Sequence, residues 1–210
     1  MHPDAATPDS LPTGVALHEA KLTLRTQIIA ARDALDPAYR VRASQEIANR
    51  LQALPSFSAA RVVLVTLPFA SEWDTRSLAL TALAAGKTLV VPRVNGPTRM
   101  LELHAISDID SQIALGYRGI PEPKPTMPRI DAAAIDWVLV PGVAFSPEGR
   151  RLGYGGGYYD RLMSTMAPAT ARITGAFDVQ IVDRIPAAAH DLCVDLIVTE
   201  SSQLPAPARR

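Results

Sequence analysis

The residues with the clearest chemical potential in this chain are Arg151-Leu152-Gly153-Tyr154-Gly155-Gly156-Gly157-Tyr158-Tyr159-Asp160. Four of the twelve glycines fall within five positions, after the apolar run Trp137 to Pro141 and before a segment with helical spacing. Strand, glycine loop and helix together form a phosphate-binding arrangement. Glycine lets the backbone approach an anion closely and adopt positive φ, while the N–H groups that open the helix add partial positive charge. Arg151 at one end is a candidate anion clamp, and Asp160 at the other a candidate metal ligand. Two familiar phosphate loops do not fit. A Walker loop needs Gly-Lys-Ser or Gly-Lys-Thr, and none of the three lysines lies nearby; G-x-G-x-x-G would need glycine where Tyr158 stands. The same glycines would also serve a plain strand-to-helix turn, but a turn has no need of the flanking Arg, Tyr and Asp.

Other residues suggest partners for this loop. Glu72 beside Trp73 can bind a polar heterocycle, the carboxylate accepting ring N–H groups and the indole stacking; alternatively Glu72 is solvated, Trp73 packs and Asp74 caps a helix. Asp160 and Asp191 can share one Mg²⁺ through oxygens and waters, as phosphate chemistry often needs. Against this, Asp160 has Arg151 or Arg161 as salt-bridge partners, and His190-Asp191 also reads as a capped turn. Lys21, Arg25 and Arg32 share a helical face, a basic stripe that is either solvated or relieved by an anion. With eighteen arginines to three lysines, Lys21 points to a use for a compact ammonium. No Ser/His/Asp elbow or zinc-ligand spacing occurs.

The elements that must position these residues alternate. Leu17, Leu24, Ile28, Ala31 and Leu35 mark one helix face, and a second helix follows Asp36-Pro37 to about Leu54. The pattern predicts a strand over Arg61–Leu67, a helix over Thr75–Ala85 stopped by Gly86, and strands over Lys87–Val94 and Leu101–Ile106. Gly116 to Met127 reads as an irregular loop. Ile135–Pro141 is the expected central strand, followed by a helix over Tyr158–Met166 and strands over Arg172–Phe177 and Leu196–Thr199. This alternation implies an α/β fold: one three-layer, Rossmann-like domain with a mostly parallel sheet and helices on both faces. Residues 1–15 and 201–210 read as flexible tails around a catalytic domain over 16–200.

At 210 residues and 22.5 kDa the chain has the length for one well-buried core. A net charge of zero gives no electrostatic reason to expect nucleic acid or an anionic membrane, so small molecules are the expected partners and a monomer the expected state. One cysteine, Cys193, cannot form an internal disulfide, no apolar run has membrane length, and the first fifteen residues lack the basic start and apolar core of a signal peptide; a cytoplasmic location is expected.

With these residues in hand, the chain resembles the 5-formyltetrahydrofolate cyclo-ligases, also called 5,10-methenyltetrahydrofolate synthetases. The likeness runs through Lys21-Leu-Thr-Leu-Arg25, Leu67 to Thr75, Pro92-Arg93, Gly119-Ile-Pro-Glu-Pro123, Val140-Pro-Gly-Val-Ala-Phe145, Arg151 to Arg161 and His190-Asp191. The resemblance implies a ligase that uses ATP and Mg²⁺ to cyclise 5-formyltetrahydrofolate through a phosphorylated formyl intermediate, releasing ADP and phosphate. It also implies that ATP meets Lys21, Arg25, Arg151, Gly153, Gly155, Gly156, Gly157, Tyr158 and Tyr159. Folate would meet Leu67, Glu72, Tyr154, Gly155, Gly156, Gly157 and Tyr158, with Asp160 and Asp191 holding the metal and Arg151 and Tyr158 acting in catalysis. The chain departs from the pattern at Gly156, where some members carry lysine, so more phosphate charge would rest on Lys21, Arg25, Arg151 and the metal. A sugar-phosphate isomerase, a CoA-transferase-like enzyme and a non-catalytic nucleotide sensor would share such a sheet, but none needs Glu72 and the Asp160/Asp191 pair together.

Overall fold

The computed structural model describes residues 14–186 and 192–207. In chain order the elements are α1 (Val15–Asp33), α2 (Pro37–Gln52), α3 (Pro55–Ala59), β1 (Val62–Leu64), α4 (Arg76–Ala84), β2 (Thr88–Asn95), β3 (Met100–Ile106), α5 (Ile109–Gln112), β4 (Ile113–Leu115), β5 (Pro121–Pro123), β6 (Trp137–Leu139), β7 (Ala144–Phe145), β8 (Arg151–Leu152), α6 (Tyr158–Met163), β9 (Ala171–Gly175), β10 (Leu196–Val198) and β11 (Gln203–Pro205). Seven strands form one sheet in the order β11-β10-β9-β6-β1-β2-β3. Its five inner strands are parallel, and β3 and β11 run antiparallel at the two edges.

Alternation along the short strands sends side chains to two separate cores. Val63, Val65, Leu89, Val91, Trp137, Leu139 and Ile173 face α2, α3 and α4, where they meet Ile47, Leu51, Phe57 and Leu78. Leu64, Val90, Val138 and Val140 point the other way, against Tyr159, Leu162 and Met163 of α6. Strands buried on both faces explain the unbroken Val and Leu runs in the sequence. The sharp start of α2 is equally local: Pro37 opens the helix, and the Asp36 carboxylate accepts from the Tyr39 N–H at 2.9 Å.

Strand order places a crevice at one end of the sheet. From β1 the chain winds outward through β2 and β3, then returns to β6 on the other side of β1 and winds outward through β9 and β10. Connections therefore leave β1 and β6 on opposite faces, and a crevice opens beyond their carboxyl ends. The ladder of β1 stops at Leu64, short of the expected Leu67, because the chain there turns away from the sheet into the 67–75 segment.

Three expectations fail on short pieces. A hairpin of β7 and β8 lies between the central strand and the glycine loop, which therefore does not follow that strand directly. The Gly116–Met127 segment is not wholly irregular: β5 pairs with β4, its prolines tolerated because the two-stranded ribbon is all edge. Gln203–Pro205, expected within a loose tail, closes the sheet as β11.

Candidate active site

A cleft of about 1230 Å³ opens beyond β1 and β6, bounded by the 67–72 segment, the 151–161 segment, the first half of α1 and the turns after β2 and β4. It is lined by Lys21, Arg25, Leu67, Glu72, Arg151, Gly153, Tyr154, Gly155, Gly156, Gly157, Tyr158, Tyr159 and Asp160. These are the nucleotide-, folate- and metal-site candidates named from the sequence, except Asp191, which with His190 lies outside the described residues; Trp73 and Arg32 do not line the cleft.

Glu72 sits at one end, where the chain leaves β1. Its Oε2 accepts from the Phe69 N–H at 3.0 Å and its Oε1 from the Tyr154 hydroxyl at 2.6 Å. Burial raises its pKa above the ordinary carboxyl value, against the lowering pull of Tyr154, the Phe69 N–H and the positive charge of Arg32. Each carboxylate oxygen retains acceptor capacity, and Glu72 lines the cleft. The indole of Trp73 does not: it is buried in the α2 and α4 core, against Gly175, so packing and not stacking is its role.

The glycine loop forms the opposite wall. Arg151, 8 % exposed, donates to the Pro141 carbonyl at 3.2 Å and to Asp160 Oδ1 at 2.6 Å. Its Nε is buried without a hydrogen-bond partner. Arg25 reaches across from α1 and donates to the Gly153 carbonyl at 2.7 Å, which fixes the loop against the first helix. Arg161 ties the loop's far side, donating to the Gly156 carbonyl at 2.8 Å and the Arg99 carbonyl at 2.7 Å. Gly157 caps α6 at φ 66°, a left-handed conformation that glycine adopts without penalty. With six residues, α6 contributes little macrodipole, so the arginines and loop N–H groups must supply most of the positive potential.

At Gly156 a β-carbon would lie 2.6 Å from the Tyr158 ring. The Tyr158 side chain thus occupies the space beside position 156, and a lysine there would need the ring to move.

Several contacts were not legible in the sequence. Glu122, 1 % exposed, borders the cleft; it accepts from the Val94 N–H at 3.1 Å and lies 3.6 Å from Arg93. Thr66 holds the Tyr159 hydroxyl at 2.5 Å, and burial raises the pKa of that tyrosine. The signal for the first pair was the Gly-Ile-Pro-Glu-Pro motif, whose glutamate had no visible partner until β5 was placed beside β2.

The donor set suits a hard cation held mainly by phosphate oxygens and water. The described residues contain no cluster of three metal-binding side chains, yet Asp160 borders the cleft and only its Oδ1 is engaged, by Arg151. One or two carboxylates plus substrate phosphates is the usual pattern for Mg²⁺.

A three-layer α/β sheet with a glycine loop and two arginines at its switch point has the open backbone and positive potential that suit an anionic small molecule. The chain belongs to the 5-formyltetrahydrofolate cyclo-ligase family, whose model matches residues 17–200. It is 31 % identical over 176 residues to the 5-formyltetrahydrofolate cyclo-ligase of Escherichia coli K12, covering 81 % of this chain and 94 % of the relative. The mouse 5-formyltetrahydrofolate cyclo-ligase is 26 % identical over 200 residues, covering 90 % and 97 %. Among solved structures, the 5,10-methenyltetrahydrofolate synthetase of Aquifex aeolicus superposes with a TM-score of 0.79 at 32 % identity, covering 90 % of this chain and 94 % of that one.

Proposed function

We propose that this protein catalyses the ATP- and Mg²⁺-dependent cyclisation of 5-formyltetrahydrofolate to 5,10-methenyltetrahydrofolate, with release of ADP and phosphate. Family membership supports the substrate and the reaction type. The observation that carries the reading is the bond from Tyr154 of the glycine loop to Glu72: a candidate phosphate loop and a candidate pterin acceptor adjoin in one cleft.

In this reading Glu72 accepts pterin N–H groups, with Leu67 and Tyr154 beside it. Lys21, Arg25, Arg151 and the backbone from Gly153 to Gly157 surround the ATP phosphates, and Tyr158 and Tyr159 lie between the two ligands. The formyl oxygen attacks the γ-phosphorus as the bond to ADP breaks. Folate N10 then adds to the activated carbon and loses its proton, and phosphate departs with the former formyl oxygen. Arg151 and the loop neutralise charge on the transferring group, so the protein contributes positioning and electrostatics more than proton transfer. Asp160, with Asp191, would hold Mg²⁺, which when bound offsets phosphate charge. The catalytic unit runs from residue 16 through β11, which closes its sheet, and acts as a cytoplasmic monomer. Among the described residues no helix is long and apolar enough to cross a membrane.

The test is methenyl product formation by purified protein. Product should appear from 5-formyltetrahydrofolate only when ATP and Mg²⁺ are both supplied, with one ADP formed per turnover. Binding of ATP with no methenyl product would favour the sensor reading; product without ADP would overturn the phosphorylation step.

A further inference from the structure

Arg32 is a buried cation that the proposed chemistry does not use. On α1 it is 2 % exposed, and among the described residues it makes no direct ion pair. Instead it reaches two carboxylates through hydroxyl groups. Its Nε donates to Ser71 Oγ at 2.9 Å, and that hydroxyl donates to Asp33. Its Nη1 donates to the Tyr154 hydroxyl at 3.0 Å, and Tyr154 donates to Glu72 Oε1 at 2.6 Å. A guanidinium has donors only. Both hydroxyls must therefore accept from Arg32, and their protons are directed outward to the carboxylates.

We propose that Arg32 is a positioning residue for folate recognition: it aims the Tyr154 hydroxyl at Glu72 and supplies the counter-charge for that carboxylate, leaving the cleft-facing lone pairs of Glu72 open to the pterin. The proposal rests on the assignment of Glu72 to the folate site. A direct Arg–Glu ion pair would occupy those lone pairs; a pair relayed by one hydroxyl does not. Arg32 and Glu72 also border a small second cavity of about 20 Å³, whereas Arg32 does not line the main cleft. The other groups facing Glu72 are Tyr154 and Tyr159 from the glycine loop and α6 and the Phe69 N–H from its own segment, with Lys21, Arg25 and Arg151 elsewhere on the cleft wall. Arg32 is the cation among them that lowers the Glu72 pKa against the effect of burial.

The experiment is calorimetric titration of 5-formyltetrahydrofolate and, separately, ATP into wild type, Arg32→Met, Arg32→Lys, Tyr154→Phe and the Arg32→Met/Tyr154→Phe double variant across neutral pH. Arg32→Met should bind folate at least about tenfold more weakly, and its affinity should recover with rising pH more steeply than wild type. ATP affinity should stay unchanged. Because Arg32 acts through Tyr154, the double variant should lose less than the two single losses combined. Arg32→Lys keeps the charge without the forked donors and should show the milder pH dependence of wild type. If Arg32→Met does not fold, Arg32→Lys with Tyr154→Phe still decides: strictly additive losses overturn the relay, as does a wild-type pH profile in folded Arg32→Met. Wild type that binds no folate at any pH removes the functional assignment instead, a distinguishable outcome.

Discussion

The two walls of the cleft handle charge in opposite ways. At the Glu72 wall, Arg32 and the carboxylate are separated by the Tyr154 hydroxyl. At the glycine-loop wall, Arg151 and Asp160 meet at 2.6 Å. The first arrangement leaves an anion with open acceptors, suited to neutral N–H donors. The second keeps a cation and an anion mutually satisfied until something with stronger charge, a phosphate or a metal, competes for each. A partly buried pair of this kind adds little net stability but becomes costly when one partner is lost. The walls should therefore respond differently to substitution.

The largest effect is expected at the direct pair. Arg151→Met should lower turnover by about 10²-fold or more, the scale of removing a pre-positioned charge partner of a transition state. It should also lower the melting temperature, since Asp160 and the Pro141 carbonyl lose their donor. Turnover within about tenfold of wild type would sink the assignment of this wall to phosphate. Next comes Glu72→Gln, which keeps the shape but turns an acceptor into a donor facing a donor. Folate should bind at least about tenfold more weakly, roughly 1.4 kcal/mol, with ATP affinity barely changed; a loss confined to ATP would exchange the roles of the two walls.

A smaller effect is expected of Lys21→Ala. The apparent Michaelis constant for ATP should rise severalfold while the melting temperature of the ligand-free protein holds; a large fall in melting temperature with unchanged ATP dependence would mark Lys21 as structural. The smallest effect concerns pH. Because burial raises the Glu72 pKa above its unfolded value of 4.5, its contribution favours the folded state below that pH and is lost as pH rises through the folded pKa. Ligand-free wild type should thus lose melting temperature with rising pH more steeply than Glu72→Gln, and parallel pH curves would show that burial imposes no such cost.

Legibility in the sequence followed how local each cause was. The inner strands were readable because burial on two faces demands continuous Val and Leu, and α2 because Asp36-Pro37 is a self-contained start signal. Two short ribbons were not readable. Strands β7 and β8 have two residues each, too few for a period, and exist because Phe145 packs into the α6 core while Ala144 and Leu152 meet Ile185. At β11 the Pro-Ala repeat imitates a tail, and only pairing with β10 reveals an edge. Within the cleft, glycine spacing and the Glu72 segment were legible as motifs. Arg32 read as one tooth of a basic stripe, since its burial depends on Ser71 and Tyr154, 39 and 122 residues further along the chain.

That separation has a consequence for biosynthesis. Helix α1 is made early, yet Leu24 and Ile28 pack against Ala144, Leu152 and Ile185, and Arg25 bonds to a carbonyl 128 residues downstream. At about 5–20 residues per second, the ribosome needs roughly 6 to 26 s to add those residues. Throughout that interval the Leu24 and Ile28 stripe lacks its cover, and the Gly153 carbonyl that holds Arg25 does not yet exist. The cleft is therefore a late product of translation, completed when the last third of the chain returns to the first helix.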